Sequence, residues 1–286
     1  MKLVSYKKSR SVAFATKHGK ERVVSLPMKS GLGLEVVVPK EIDTDELGTF
    51  TGEIERPGTP REVVLQKACL GMEITGLSMG LASEGSFGPH PVIPFVPVDH
   101  EMMAFVDDKK GFQVVEQTLA VETNFRHANV ASLTELEDFL TRSGFPSHAL
   151  IVHPNQRNGS NLIFKGLQTI EDVSSAIELC RGQSSDGLTH IETDMRAHMN
   201  PTRMKAIRRL AGKLVRRLRS LCPSCSTPGW GMTGVEKGLP CRICRFPTEL
   251  VKDEIFGCAR CDRTDARPRI DGKQFAEPGQ CPLCNP

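Results

Sequence analysis

Residues 222–284 carry four Cys-x-x-Cys pairs: Cys222-Pro-Ser-Cys225, Cys241-Arg-Ile-Cys244, Cys258-Ala-Arg-Cys261 and Cys281-Pro-Leu-Cys284. The pairs are separated by 15, 13 and 19 residues. Two sulfurs two residues apart fit one tight turn whose amides can point at the thiolates, and two such knuckles complete a tetrahedron with Zn–S distances of about 2.3 Å. Iron–sulfur clusters typically use other spacings, and a redox dithiol has no need of three companions. No histidine falls within the segment. The eight cysteines therefore read as ligands of two closed, structural zinc ions with no coordination position left for catalysis. Cys241–Cys261 reads as a self-contained zinc ribbon with a strand through Leu250–Phe256, and the Cys222 and Cys281 knuckles both carry proline in second place. That likeness favours a nested pairing, first knuckle with fourth and second with third; sequential pairing is the alternative. Metal binding is expected to supply most of the folding free energy of this module, at roughly 10–16 kcal/mol per structural zinc in small peptides.

Upstream the composition changes. Only Cys69 and Cys180 lie outside the knuckles, each within an apparent helix where a free cysteine serves as a small core hydrophobe. The chain is 39% hydrophobic and 25% charged, which excludes a disordered tail. No apolar run nears the roughly 18–20 residues that span a bilayer. The basic start MKLVSYKKSR precedes an apolar stretch too short for a signal peptide. The reading is a cytoplasmic protein with no membrane partner. The formal net charge is +3, but a zinc with four thiolates carries about −2. The holo protein is then near neutral, and any acidic partner must be met by local charge.

Residues 1–221 alternate strand and helix signals, as in an α/β domain with a mixed sheet and flanking helices; residues 222–286 follow as a small zinc-ribbon-like module. Ser11–Thr16 reads as a strand, Lys17–Lys20 as a polar turn, and Glu21 as the start of a helix. Leu34–Val38 is a second strand. Thr59-Pro60-Arg61-Glu62 is a capping box with proline at the first helical position, opening a helix to about Ile74. Met79–Ser83, Met102–Val106 and Phe112–Val121 read as extended. Ser132 and Glu135 form another capping box. Ala149–Val152 and Leu162–Phe164 are short strands, Ile170–Cys180 is a helix, and Asn200-Pro201 caps a long helix ending near Leu221.

Four polar clusters fall where loops are expected. Thr16-Lys17-His18-Gly19-Lys20 lies between a strand and a helix, where backbone amides and Lys20 suit a phosphate. Asp43–Arg56, with Glu53 and Glu55, has alternating acids that suit Mg²⁺, a hard ion satisfied by one or two carboxylates plus substrate phosphates. Ser83-Glu84-Gly85-Ser86-Phe87-Gly88-Pro89-His90 suggests a backbone bent tightly around something, with Asp99-His100-Glu101 shortly after. His190–Arg203 gathers Glu192, Asp194, Arg196, His198 and Arg203 before a helix. An ordinary solvated loop is the competing reading for each, weakest for the last and densest. No Ser–His–Asp triad or Walker loop is assembled.

The helix from Pro201 sets Met204, Ile207, Ala211, Leu214 and Leu218 against Arg208, Arg209, Lys213, Arg216, Arg217 and Arg219. Beside zinc knuckles, helix 201–221 would suit a nucleic-acid backbone, or its charges balance acids elsewhere in the fold. A zinc-held interaction adaptor is a third reading, one that leaves the polar clusters unused.

The stretches ATKHGKE, DTDELGTFTGE, ASEGSFGPHP and ETDMRAHMNPTRM, with the four-knuckle tail, resemble a bacterial family described only as a domain of unknown function. The order ATKHGKE, acidic stretch, helix ending QKA, then LASEGSFG also resembles the inosine/xanthosine triphosphate pyrophosphatases. That resemblance implies phosphate binding by Thr16, His18 and Lys20, and Mg²⁺ held by Glu53 or Glu55 with Glu84. Arg196, His198 and Arg203 would match a Ser-His-Arg segment before that family's last helix. His18 stands where that family has asparagine, the 83–88 segment lacks its aspartate, and that family has no zinc tail. The expected function is thus a Mg²⁺-dependent phosphoanhydride hydrolase acting on a nucleotide or related phosphate. Glu84, Glu53, Lys20 and Arg196 are its catalytic candidates, and Thr16, His18, His90, His198 and Arg203 bind the substrate. The alternative is a non-enzymatic nucleic-acid-binding protein.

Overall fold

Val12 and Phe14 face one way along β1 (Ser11–Ala15) and Ala13 and Ala15 the other, and this alternation organises the N-terminal half. The computed structural model describes residues 11–40, 58–157, 159 and 161–286; Glu53, Glu55 and the rest of the acidic cluster lie outside them. β1 pairs in parallel with β2 (Glu35–Val37) on one side and β3 (Met79–Pro89) on the other. β4 (Pro97–Asp107) and β5 (Phe112–Ala120) continue antiparallel, giving the mixed order β2-β1-β3-β4-β5.

Helices cover both faces. α1 (Glu21–Leu32) and α5 (Pro201–Arg219) bury Val12, Phe14, Leu81, Met103 and Phe105. α2 (Pro60–Thr75) packs on Ala15, Ala82 and Ala104. Small residues let α2 lie close: a Cβ on Gly80 would sit 2.5 Å from the Ala68 carbonyl oxygen. The Thr59–Glu62 capping box forms as expected. The chain leaves β1 through α1 on one face and reaches β3 through α2 on the other. β1 is therefore the switch point of the sheet, and ligands of open α/β sheets bind at the carboxyl ends of strands there.

β6 (His127–Val130), β7 (Leu150–Pro154), β8 (Phe164–Leu167) and β9 (Thr189–Thr193) form a second sheet in the order β6-β9-β7-β8, with antiparallel neighbours. α3 (Glu137–Ser143) and α4 (Ile170–Gly182) cover one face, over Leu150, Val152 and Ile191. A third sheet, β10 (Gly231–Lys237), β11 (Val251–Gly257) and β12 (Thr264–Pro268), is antiparallel and carries the cysteines. It is docked on the first sheet. Trp230 is buried, Arg217 Nε donates to the Gly229 carbonyl at 3.1 Å, and Ala259 packs against the core under α5.

Several local expectations change. The Ser83–Pro89 segment is no bent loop but the outer half of β3, paired with β4 as far as Pro89–Pro97. Its Gly85 serves a close approach instead, because a Cβ there would lie 2.6 Å from Glu101 Oε1 and closer still to the Arg203 guanidinium. His190 and Glu192 stand on strand β9, not in a loop. The expected capping box does not form at Ser132, whose hydroxyl donates to the Glu135 carboxylate at 3.1 Å instead; a 3-10 turn, Leu133–Leu136, follows before α3. Cys180 is a buried core residue as expected, but Cys69 is exposed.

Candidate functional site

β1 ends at Ala15, paired with Ala82, while β3 runs on. The Thr16–Lys20 turn therefore crosses the open edge of β3 at the switch point. Lys20 reaches that edge, its Nζ 3.2 Å from the Ser83 carbonyl and 3.1 Å from Ser83 Oγ. On the α2 side Lys67 Nζ lies 2.7 Å from Glu84 Oε2, with both side chains buried. On the α5 side Arg203 Nε donates to Glu101 Oε1 at 2.6 Å and Nη1 to the Met195 carbonyl at 2.5 Å. The Arg203 guanidinium stands 5.0 Å from the centre of the Phe87 ring. Register explains the assembly: Glu101 lies opposite Gly85 and Asp99 opposite Phe87, so both acids share the face that α5 covers.

Three cations and three carboxylates are thus buried together: Lys20, Lys67, Arg203, Glu84, Asp99 and Glu101. Burial, then the nearby Arg203 charge, brings the Lys20 ammonium down to about 8. Burial, then the Glu101 charge, pushes the Asp99 carboxyl up to about 8, with Glu101 within hydrogen-bonding reach. Thr16 Oγ1, Asp99 Oδ1 and Glu101 Oε2 are buried without a hydrogen-bond partner. Buried oxygens of this kind are rare and call for a proton, a cation or a ligand donor.

The rim is aromatic and basic. His18 and His198 stack with ring centroids 5.2 Å apart, and a Cβ on Gly19 would touch both His198 and Arg22. Burial, then Arg196, lowers the His198 imidazole. Arg196 grips Asp194 through Nε at 3.0 Å and Nη2 at 2.6 Å. Asn200 accepts the Arg203 amide at 3.0 Å to cap α5, which fixes the root of the Arg203 side chain.

The expected residues thus divide. Thr16, Lys20, Glu84 and Arg203 meet in the crevice, while His18 and His198 stack beside it. Arg196 is committed to Asp194 and Glu84 to Lys67. His90 lies six residues beyond Glu84 on extended chain, about 20 Å away at the ordinary strand rise; its Nδ1 accepts the Val92 and Ile93 amides. Asp99 and Glu101 were noted only as neighbours of the third polar cluster and given no role, and Lys67 was not a site candidate. The i, i+2 spacing of Asp99 and Glu101 was the available signal, since alternation puts both on one face of a strand.

The cysteines form two sets, and the grouping corrects the nested expectation. Cys222, Cys225, Cys258 and Cys261 make one set, and Cys241, Cys244, Cys281 and Cys284 the other; within each, all sulfurs lie within 4.8 Å of one another. First knuckle joins third and second joins fourth. The strands impose this, because Gly231 pairs with Gly257 and so brings the knuckles before β10 and after β11 to one end of the hairpin. The second knuckle, between β10 and β11, lies at the other end, to which β12 returns the chain. Cross-set pairing would have to span β11, about 20 Å. The first two knuckles share a Cys-x-x-Cys-x-x-Pro frame with a left-handed residue after the second cysteine, Ser226 or Arg245.

The donor set fits zinc. A tetrahedron with Zn–S of about 2.3 Å places sulfurs about 3.8 Å apart. Observed separations are 3.8 Å for Cys222–Cys261, 3.5 Å for Cys225–Cys258, 3.8 Å for Cys241–Cys284 and 3.6 Å for Cys244–Cys281. The Thr227 hydroxyl and amide bring the Cys225 thiol down to about 6, and backbone amides bring Cys241 to about 7. The two clusters thus suggest structural zinc. Among the described residues no helix is long and apolar enough to cross a membrane.

Residues 67–286 match the family model described as Domain of unknown function (DUF6671), and the chain belongs to that family. The match spans Lys67, Glu84, Asp99, Glu101, Arg203 and all eight knuckle cysteines. No curated protein and no solved structure matches the chain.

Proposed function

We propose that the crevice at the ends of β1 and β3 is the active site of a phosphoanhydride hydrolase, cytoplasmic and acting on a nucleotide or related phosphate. In this reading residues 1–221 are the catalytic part and 222–286 a structural zinc module. The observation that carries it is the buried set Lys20, Arg203, Asp99 and Glu101 beside the start of α1, with Thr16 Oγ1, Asp99 Oδ1 and Glu101 Oε2 unpartnered. A strand–turn–helix junction at a switch point suits phosphates, and the likeness of residues 16–20 to the triphosphate pyrophosphatases supports the same chemistry. Lys20 would neutralise the phosphates, His18 and His198 would donate hydrogen bonds to them, and Arg203 would orient the acids.

The Mg²⁺ roles move from Glu84, neutralised by Lys67, to Asp99 and Glu101. Near neutral pH burial and the adjacent Glu101 charge favour the protonated Asp99 carboxyl. Mg²⁺ arriving with substrate phosphates would replace that proton, since hard cations bind one or two carboxylates and metal binding releases protons. The test is a screen of the zinc-loaded protein against nucleoside triphosphates and related phosphates with Mg²⁺, detecting pyrophosphate and orthophosphate. Turnover is expected, with a loss of about 100-fold or more in Asp99→Asn and Glu101→Gln. Equal turnover in those folded variants would overturn the assignment.

The nucleic-acid reading keeps one support: Arg208, Arg216 and Arg219 are exposed along α5. Arg209, Lys213 and Arg217 instead pair with Glu122 and Glu116.

A further inference from the structure

The second sheet has a face that neither α3 nor α4 covers. Alternation from the buried Val152 and Ile191 puts His153 and His190 on it, and the register sets Asn129 opposite His190 and Glu192 opposite His127. His190 is sandwiched: its ring lies 4.7 Å from His153 and 5.4 Å from His127, with interplanar angles of 22° and 25°. Both faces of the central ring are occupied, so the ladder cannot stack on bases; it presents ring edges.

Those edges are prepared. His153 Nδ1 bonds the Pro154 carbonyl at 2.8 Å and His190 Nδ1 bonds Asn129 Oδ1 at 2.7 Å. A carbonyl only accepts, so each bond holds the proton on Nδ1 and leaves Nε2 with its lone pair. This is the outer-shell arrangement found behind metal-bound imidazoles. Arg157 opposes a cation here, while Glu192 supplies a compensating carboxylate.

We infer that His153 and His190, with Glu192 and His127 beside them, form a third metal site that takes a divalent transition-metal ion of the zinc class through imidazole Nε2. Among the described residues only the cysteine clusters already hold three or more ligand atoms within 4.8 Å. Closure on an ion therefore requires the stacked rings to turn until their Nε2 atoms stand about 3.4 Å apart, as two Zn–N bonds of about 2.1 Å demand. Imidazole with carboxylate suits zinc, copper and nickel, and nothing in this inference depends on the crevice.

The full-length protein with both cysteine sites zinc-loaded is titrated with Zn²⁺, with bound metal counted after gel filtration. A third equivalent is expected, lost in His190→Gln and His153→Gln, and weakened about 10-fold in Asn129→Ala through the orienting bond. In the wild-type chain, long-range ¹H–¹⁵N spectra should show the Nε2 signals of His153 and His190 shifting with that equivalent; this readout needs no variant to fold. Saturation at two ions overturns the inference, as does a third equivalent that leaves both Nε2 signals in place.

Discussion

The cysteine module, through its thiolates, and the crevice, through its carboxylates and cations, both gather charges that an apolar core rejects, and they resolve that conflict in opposite ways. In the module each sulfur faces three others at zinc-like spacing, and the set is complete once a metal is bound. In the crevice the ion pairs Lys67–Glu84 and Arg203–Glu101 leave two carboxylate oxygens and a hydroxyl with nothing to bond. A closed polar set is a folding device, whereas an incomplete buried one points to a ligand. The difference teaches where to look for chemistry: toward the oxygens, away from the cysteine clusters that are easiest to see.

The largest effect should come from opening the closed set. Stripping zinc with a chelator is expected to unfold residues 222–286, reported by the fluorescence of Trp230, the chain's one tryptophan, buried where the module docks. The crossed pairing is tested by counting metal. Cys222→Ser with Cys258→Ser should retain one zinc, because both changes fall in one set. Cys222→Ser with Cys241→Ser should lose both. Equal retention by the two double variants would break the assignment of first knuckle to third.

Next comes the crevice. Glu101→Ala removes the partner of a fully buried Arg203 and should cost about 3–5 kcal/mol in urea unfolding. Asn200→Ala, which removes the cap that roots Arg203, should cost about 1–2 kcal/mol. If both changes were silent, the crevice would be more hydrated than its burial indicates.

These two regions also differ in how far the sequence alone reveals them. The knuckles are local, so spacing names their ligands; their pairing depends on which ends of a hairpin meet, and no cysteine spacing records that. The likeness of Cys281-Pro-Leu-Cys284 to Cys222-Pro-Ser-Cys225 pointed to the wrong partner because proline in a knuckle reports turn geometry, not neighbours. In the crevice, Thr16, Lys20 and Arg203 were legible from a strand–turn–helix junction and a capped helix start. Asp99 and Glu101 were not singled out, since their role comes from register with Phe87 and Gly85 across a hairpin. Glycines at 85 and 88 suggested a bend, yet β3 continues through them because a full set of β4 partners is available. The second sheet was partly hidden for a similar reason: β9 is short, and His190 and Glu192 on its open face read as loop, while the four residues of β6 were not read as a strand.

The unpartnered acids should also leave a mark on stability against pH. Asp99 titrates near 8 in the folded protein, above its ordinary 3.8. The folded state therefore binds the extra proton between those values, and stability contributed by this group is full below about pH 4 and lost as pH rises through about 8. Lys20 works the other way over a higher window: its lowered value makes stability rise from about pH 8 to 10.5. Asp99→Asn should flatten the profile from pH 4 to 8 and leave the alkaline rise in place. An unchanged acid-to-neutral slope would mean that Asp99 is ionised throughout.

The smallest effect belongs to the exposed side of the helix that supplies Arg203. Arg209 meets Glu122 at 2.6 Å, yet both side chains are about two-thirds exposed, against almost complete burial for Arg203 and Glu101. Water and salt screen such a pair, so Arg209→Ala should leave the urea midpoint within experimental error. The consequence reaches the nucleic-acid reading. If the outer arginines carry no structural load, Arg208→Glu, Arg216→Glu and Arg219→Glu together should leave the fold intact and isolate their effect on polyanion binding. Binding that falls steeply with salt in the parent chain and disappears in the triple variant would give α5 a surface role beside its buried one. A marked loss of stability in Arg209→Ala would show instead that the stripe is held in place for the fold.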